Sequence, residues 1–402
     1  MAHLSRRECL LLLSAAAATA PAGLALEDRP WTHPRVEVAR LERPRVLRAA
    51  RAYLQDEPRT IVAVPAPRSA GGLHDYFSQG DYWWPDPKNP SGPYIEHDGQ
   101  SNPDNFNAHR ELLIRLSLQA PCLTVAWMLT RERLFADKAA AHLRAWFVDP
   151  STRMNPNLQY AQAVHGLNTG RSIGIIDTVH LAEVARSASI LDRGGALDRS
   201  IADGTRAWFA DYLQWLTQSG FGQKERDNRN NHESCWVLQV AAFAGLTGDS
   251  GLREFCRSRL KTRTFNLQIA PDGSFPLELR RTKPYGYCLF NLDILGMCAQ
   301  ILSTSADNLW TFKLADGRGL ESCFRFMTPF IANKQSWPYR HDVEYFDDLP
   351  VRQPSLLFAG LAYARPGYID LWQRLDPDPT VPEVIRNHPL RQPLLWIESS
   401  AG

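Results

Sequence analysis

The chain has 402 residues, of which 44% are hydrophobic, and its 45 Lys and Arg nearly balance its 43 Asp and Glu. This length and composition are sufficient for a large hydrophobic core, in one domain or two. A formal net charge of +2 excludes the global positive field that is typical of nucleic-acid-binding proteins. A polyanionic ligand would therefore have to bind a local basic patch.

Residues 1–25 have the composition of a secretory signal peptide. A basic pair, Arg6 and Arg7, precedes the apolar run 10–13 and a series of alanines, which is the order found in exported precursors. The arginine pair is also compatible with the twin-arginine route. No other apolar run is long enough to cross a bilayer. We therefore expect residues 26–402 to form one domain, with its core at about 60–365, as a soluble monomer that is periplasmic or secreted.

The cysteines beyond the leader number six: Cys122, Cys235, Cys256, Cys288, Cys298 and Cys323. None belongs to a Cys-x-x-Cys pair, and most lie in helical patterns. Buried free thiols are therefore favoured over a zinc site, with one disulfide bridge as the open alternative. We expect neither a metal nor another cofactor.

The N-terminal part of the domain is irregular in pattern. Residues 26–70 are rich in Pro and Arg, with one short helical pattern at Val46–Leu54 and a strand signal at Thr60–Val64. Residues 74–107 combine Asp, Asn, Pro and Gly with aromatic residues and predict a long ordered loop, which in compact domains is often functional. In this loop Trp83 and Trp84 offer flat faces that stack well on sugar rings, although one of them could equally belong to the core.

From His109 onward, apolar residues recur at intervals of three and four and predict one helix after another. The predicted helices are 109–130, 134–147, 171–187, 197–218, 231–246, 251–262, 285–302, 306–331 and 351–363. Helices of this length joined by short loops favour stacked antiparallel hairpins and are compatible with an (α/α) toroid, an all-α fold. The Pro-rich section from Pro366 predicts an extended tail anchored by Leu394, Leu395 and Trp396.

Two polar stretches stand out because each directly precedes an apolar helical pattern. In the first, Asn230 or Asn228 is suited to N-cap a helix, which places Asn231 and His232 at a helix N-terminus, where anions are bound most easily. The second stretch, 278–287, contains three basic residues and two tyrosines.

These stretches, together with three others, resemble the alginate lyase superfamily, particularly polysaccharide lyase families 5 and 38. The similar motifs are Asn-Asn-His at 230–232, Glu-Leu-x-Arg at 278–281 with a following Tyr, Gly-Asp-Tyr-Trp-Trp-Pro at 80–85, Asn-Pro-Asn-Leu-Gln-Tyr at 155–160 and Asn-Thr-Gly-Arg at 168–171. Each motif is weak alone, but the ordered set is fairly specific and covers most of residues 60–365. The resemblance implies an incomplete (α/α) toroid with a cleft at one end.

The resemblance also implies a reaction, β-elimination on a β-1,4-linked uronate polymer such as polymannuronate or glucuronan, without a metal. Asn231, His232 and Arg281 would offset the negative charge of the uronate carboxylate, and Tyr287 would carry the proton. Because free tyrosine titrates near ~10, nearby cations would be needed to lower its pKa. The six-residue interval between Arg281 and Tyr287 favours the family 38 type of site and leaves Tyr285 as an alternative.

The remaining candidates would contact neighbouring sugars of an acidic polysaccharide. They are Trp83, Trp84, Asn168, Arg171, Tyr285 and Arg229. For the arginines, a solvated surface position is the more common explanation.

Two other functions are compatible with these residues. An inverting glycoside hydrolase on a helical toroid would use a carboxyl pair drawn from Asp81, Asp86, Glu96, Asp98 and Asp104. A non-catalytic protein that binds acidic polysaccharide would need the aromatic and basic residues but not Tyr287. No Gly-x-Ser-x-Gly or phosphate-binding loop occurs.

Overall fold

The computed structural model describes residues 33–397, so the expected signal peptide at 1–25 lies outside the described residues. The α-helices are α1 Pro34–Tyr53, α2 Ala108–Thr130, α3 Arg133–Leu143, α4 Leu181–Arg193, α5 Arg199–Gln218, α6 Gly220–Arg226, α7 Asn231–Thr247, α8 Ser250–Arg259, α9 Phe265–Gln268, α10 Pro276–Leu279, α11 Pro284–Leu302, α12 Leu320–Ala332, α13 Pro354–Ala362, α14 Pro366–Arg374 and α15 Pro382–Arg386. The strands are β1 Phe77–Gln79, β2 Trp83–Trp84, β3 Ile95–Glu96 and β4 Tyr160–Ala163.

Successive long helices pack against one another around two central helices, α7 and α11. Helix α7 contacts α4, α5, α8 and α11, while α11 also contacts α13. Both central helices are buried on nearly all faces, which is why their sequences are apolar all round rather than striped. This is the all-α, (α/α)-toroid type of fold that the family resemblance implied and with which the helical periodicity is compatible.

Two described helices, α2 and α11, are long and apolar enough to cross a membrane by length and composition alone. The expectation that no apolar run beyond the leader reaches that length is therefore wrong. In each helix most of the apolar window is buried inside the protein, 72% for α2 and 83% for α11. A core helix of a soluble protein has the same property.

The aromatic loop at 74–107 is ordered by two small sheets. Strand β1 pairs in parallel with β4, and β2 pairs in antiparallel with β3. The first pairing joins the loop to the segment that leads into Arg171. The second makes a hairpin that carries Trp83 and Trp84, both half-buried.

Several predicted boundaries were wrong for identifiable reasons. The predicted strand Thr60–Val64 is a 3₁₀ turn at Ile61–Ala63. The short helix at Val46–Leu54 begins much earlier, because Pro34 occupies the favoured first helical position and a buried stripe at every fourth residue (Val38, Glu42, Val46, Ala50) runs its whole length.

Three further differences lie downstream. The predicted helix 171–187 is a 3₁₀ segment at Ser172–Thr178 followed by α4, and only the part from Leu320 of the predicted helix 306–331 is helical. The tail from Pro366 contains α14 and α15 rather than being wholly extended. Its predicted anchors, Leu394, Leu395 and Trp396, are buried.

Local signals within the helical region were reliable. Asn230 is the N-cap of α7, and Gly248 ends that helix with φ = 81°, in the left-handed region that glycine adopts at helix C-termini. The six cysteines beyond residue 33 are buried free thiols, as the sequence predicted.

Candidate active site

A cavity of about 100 Å³ opens where the N-terminus of α7, the segment before α11 and the aromatic loop meet. Its wall includes Asn231, His232, Arg281 and Tyr287. Ile173 and Ile176 line one side, and Arg386 and Asn387, at the C-terminal end of α15, line another.

Asn231 begins α7 and is fixed by a buried carboxylate. Its backbone N–H and its side-chain Nδ2 donate to the two oxygens of Glu278 on α10, at 2.8 and 2.7 Å. Burial raises the pKa of Glu278, although the hydrogen bonds from Asn231 and the charge of Arg281 act in the opposite direction. The second hydrogen of the Asn231 amide and its Oδ1 are left for the cavity.

His232 is oriented in the same way by Glu225. Its Nδ1 lies 2.6 Å from Oε1 of Glu225, which is fully buried, and the other Glu225 oxygen accepts from Asn228 Nδ2 at 2.7 Å. Asn228, the second N-cap candidate, thus supports Glu225 instead. Since a carboxylate oxygen only accepts, Nδ1 carries a proton, and Nε2 is the ring nitrogen left for a ligand.

Tyr287 lies in the first turn of α11. Asp342 fixes this turn by accepting from the N–H groups of Tyr285 and Gly286 at 2.7 and 2.8 Å. A carboxylate at a helix N-terminus satisfies donors that have no partner within the helix. The backbone that carries Tyr287 is therefore fixed.

The Tyr287 hydroxyl is hydrogen-bonded on two sides. It lies 2.8 Å from the hydroxyl of Tyr82 and accepts from Nη2 of Arg281 at 3.3 Å. The Arg281 guanidinium also stacks on the phenol ring, with Cζ 4.5 Å from the ring centre. These contacts are the cation–π and charge-assisted kinds that stabilise negative charge on a phenol oxygen.

Comparison with known proteins identifies the family of this chain. A family model described as alginate lyase matches residues 61–337, well over half of the chain. The chain belongs to the alginate lyase family. No curated protein sequence matches it.

Solved structures extend the comparison beyond the family model. An alginate lyase from Bacteroides ovatus superposes with a TM-score of 0.78 at 28% identity, covering 94% of this chain and 100% of that chain. Alginate lyase A1-III from Sphingomonas species A1 matches with a TM-score of 0.51 at 16% identity, covering 94% and 98%. A variant of A1-III complexed with a tetrasaccharide reaches 0.56 at 15%, covering 92% and 98%. The A1-III matches bear on the fold alone.

The pKa of Tyr287 departs from the sequence-based expectation in this family member. Burial raises it to about 12, although Arg281 and the hydrogen bond with Tyr82 act to lower it. The cation that the sequence-based reasoning requires thus acts in the expected direction, but the desolvation of a phenolate outweighs one guanidinium.

The structure brings two of the predicted sugar-binding residues to the cavity. Arg171 lies with its Cζ 5.5 Å from the ring centre of Trp83. Its Nε and Nη2 donate to the backbone and side-chain oxygens of Gln162, at 2.8 and 3.2 Å. The indole and guanidinium therefore form one flat wall of the cavity.

The other four candidates do not line this cavity. Tyr285 is fully buried and its hydroxyl donates to the carbonyl of Phe330, so its assignment as a substrate contact is corrected. Trp84 donates from Nε1 to the carbonyl of Gln100. Asn168 is exposed and accepts from the N–H of Val164, and Arg229 is exposed at the surface.

Several cavity residues were missed by sequence reasoning. Tyr82 had a signal, since it lies within the motif at 80–85. Arg386 and Asn387 had none, because they belong to the tail and are more than forty positions beyond the family match. Arg386 reaches the cavity through a 2.7 Å ion pair with Asp81, a residue that is distant in sequence.

Within residues 33–397, no group of three or more His, Cys, Asp or Glu side chains is arranged to hold a metal ion.

Proposed function

We propose that this protein is a polysaccharide lyase that cleaves a β-1,4-linked uronate polymer, polymannuronate or glucuronan, by syn β-elimination without a metal. Membership of the alginate lyase family supports the lyase class. The observation that supports the mechanism most directly is the meeting of a buried phenol, Tyr287, with Arg281 at 3.3 Å in the cavity that also contains Asn231 and His232.

The proposed chemistry begins with the uronate carboxylate. The proton on C5 is only weakly acidic while this carboxylate carries its charge, so hydrogen-bond donors must stabilise the enolate-like species that forms. Asn231 and His232 supply such donors from the positive end of α7, and Arg281 adds a fixed positive charge. Because Glu278 and Glu225 hold these two side chains, little reorganisation is needed during the reaction.

Tyr287 would then act as the base and afterwards as the acid. In β-D-mannuronate and β-D-glucuronate the C5 hydrogen and the departing O4 lie on one face of the ring. One phenol can therefore take the first proton and return it to O4. Loss of the phenol proton would be assisted by Arg281 and by the hydrogen bond with Tyr82.

Two of the aromatic-loop carboxylates, Asp81 and Asp98, are poorly suited to the hydrolase alternative. A general acid for hydrolysis needs a raised pKa. Asp81 pairs with Arg110 and Arg386, and Asp98 pairs with Arg281. Although burial acts to raise the pKa of each, these partners hold both pKa values below their ordinary range.

The deciding experiment is incubation with polymannuronate, polyguluronate, glucuronan and hyaluronan in parallel while ultraviolet absorbance is followed. Elimination creates a C4=C5 double bond that absorbs, whereas hydrolysis creates none. We expect activity on polymannuronate or glucuronan. Activity on polyguluronate alone would contradict a single tyrosine, because there the departing oxygen is on the opposite face.

The variant Tyr287→Phe separates catalysis from binding. We expect it to lose at least ~100-fold in turnover, the lower range for one proton-transfer group, while its affinity for the polymer is retained. The matched control is Tyr339→Phe, at an exposed tyrosine that does not line this cavity. If the wild type binds a uronan but gives neither unsaturated nor hydrolysed product, the protein is a non-catalytic binder.

We further propose that the protein is exported and acts in the periplasm or outside the cell, on the basis of the leader-like residues 1–25. Removal of these residues from the mature protein, measured by intact mass, tests this proposal. We also propose that it acts as a monomer.

A further inference from the structure

Asp98, in the turn that follows β3, has its carboxylate almost fully occupied by two neighbouring residues. Its Oδ1 accepts from Nη2 of Arg281 at 2.8 Å, and its Oδ2 accepts from Thr282 Oγ1 at 3.0 Å and from Arg281 Nε at 3.4 Å. The backbone N–H of Thr282 also contacts it. Arg281 and Asp98 are both about two-thirds buried, with 29% and 34% of their side chains exposed.

The turn that carries Asp98 is itself fastened to the segment before α11. Gly99 has φ = 81°, and a Cβ at this position would lie 2.2 Å from Thr282 Oγ1, so only glycine permits this approach. On the other side, Ser101 donates through its N–H and Oγ to Glu344, at 3.3 and 3.2 Å. Asp98 is therefore held in place by its own backbone as well as by its ion pair.

Asp98 and Tyr287 together fix the position of the Arg281 guanidinium. One edge of its guanidinium, formed by Nε and Nη2, is bound by Asp98, and its flat face lies against the ring of Tyr287. The same Nη2 that donates to Asp98 also reaches the Tyr287 hydroxyl. Without Asp98, a long side chain with this much rotamer freedom would lose its defined position over the phenol.

We propose that Asp98 is a positioning residue, which keeps Arg281 against Tyr287 throughout the reaction. On this view Arg281 mainly serves the phenol, and the substrate carboxylate is bound chiefly by Asn231 and His232. The inference rests on the proposed lyase function and specifies which residues bind the substrate carboxylate and which support the phenol.

The alternative role for Asp98 is to occupy Arg281 only until the substrate carboxylate replaces it. Displacement would break the contacts to Thr282 as well as the ion pair, and the turn at Gly99 and Ser101 would have to move with it. Because a substrate carboxylate would regain only the contacts to Arg281, the geometry favours a permanent contact.

The two roles predict opposite changes in the pH dependence, which reports on Tyr287. The groups that act on the pKa of this phenol are Arg281, Tyr82, Asp98 and Arg386. The other charged and titratable residues that line its two cavities are Asp81, Glu96, Arg171, His232, Lys283, Asp342, Glu344, Tyr345 and Glu383. Of these, Arg281 acts to lower the pKa of Tyr287 and Asp98 acts to raise it. If Asp98 positions Arg281, its removal frees the guanidinium, raises the pKa of Tyr287 and shifts the rising limb of the rate profile, along which the phenolate forms, to higher pH. If Asp98 is only a displaceable charge, its removal shifts that limb to lower pH.

The test compares Asp98→Ala, Asp98→Asn and the control Asp203→Ala with the wild type. Asp203 also forms an ion pair with an arginine, Arg206 at 3.0 Å, but does not line the cavity. For Asp98→Ala we expect kcat to fall about 10- to 100-fold, the range for lost preorganisation of one catalytic contact. We expect KM to change less than about threefold and the rising limb of the rate profile to move to higher pH. Asp98→Asn retains one acceptor oxygen, for either Arg281 or Thr282, so it should recover part of kcat.

The outcomes separate this inference from the proposed function. A lower KM, an unchanged kcat or a shift of the rising limb to lower pH in folded Asp98→Ala would overturn the positioning role, as would behaviour equal to Asp203→Ala. Circular dichroism of each variant establishes folding, and Asp98→Asn carries the comparison if the alanine variant does not fold. If the wild type forms no unsaturated product from any uronan, the proposed function fails first, and this inference falls with it.

Discussion

The contact between Glu225 and His232 offers a test of how the cavity is preorganised. Glu225 has no exposed surface, and its two oxygens accept from His232 Nδ1 at 2.6 Å and from Asn228 Nδ2 at 2.7 Å. In Glu225→Gln the size is preserved, but the amide has only one acceptor for two donors. Its NH₂ group must then face either the imidazole or the Asn228 amide without forming a hydrogen bond.

The expected loss follows from the strength of one charge-assisted hydrogen bond. Such a bond contributes about 1.5–3 kcal/mol, and each ~1.4 kcal/mol corresponds to a tenfold change in rate. If the bond orients His232 for the transition state, kcat/KM should fall about 10- to 150-fold. The loss should appear mainly in kcat, because the orientation of the imidazole matters most in the transition state, where the negative charge of the substrate carboxylate is redistributed.

Initial rates of unsaturated product formation measure this effect, with thermal denaturation as a check on folding. The control is Glu254→Gln, which alters an exposed glutamate paired with Arg257 and should leave kcat/KM unchanged. In a double-mutant cycle, Glu225→Gln should have little further effect once His232 is replaced by alanine. A folded Glu225→Gln variant with kcat/KM within twofold of the wild type would refute the reasoning.

Two further predictions follow from the same cavity. Because burial raises the pKa of Tyr287 to about 12, the proton-accepting phenolate is scarce at neutral pH and becomes more abundant as pH rises. The kcat/KM of the wild type should therefore increase from pH 7 to pH 9 by up to ~10-fold per unit. A flat or falling profile over this range would contradict the role of Tyr287 as base. Gly99→Ala should lower activity at least ~10-fold for two reasons. The new Cβ would clash with Thr282 Oγ1, and an alanine in the left-handed conformation costs ~1–2 kcal/mol. The control is Gly317→Ala, because Gly317 has φ = 86° and open space around the position of a new Cβ. Similar losses of activity in both folded variants would show that the contact between Gly99 and Thr282 has no functional role.

The sequence could predict the helical framework because helix formation depends on neighbours three and four positions away. The helices from Ala108 onward, the Asn230 N-cap and the Gly248 terminus are local features of this kind. The same reasoning failed at 306–319, where apolar spacing was present but the chain is not helical. It also failed at α1, where abundant Pro and Arg concealed a buried stripe.

The candidate site was predictable only as far as its residues lie in recognisable motifs. Tyr285 and Tyr287 could not be ranked by composition, since both follow the same basic stretch. Two positions on a helix differ by about 200° in direction, so when α11 docks, one phenol faces the core and the other faces the cavity. Which one does so depends on the packing of the whole helix.

The family motifs, the helical periodicity and the residue types that can neutralise a carboxylate can all be identified from the amino-acid sequence. The side chains that support them are identified by the packing of the folded chain. Asp98 meets Arg281 across 183 positions, and Arg386 reaches Asp81 from the C-terminal tail. Contacts of this kind depend on how distant segments pack, and a lone Asp or Arg in a loop has no local pattern that identifies its partner.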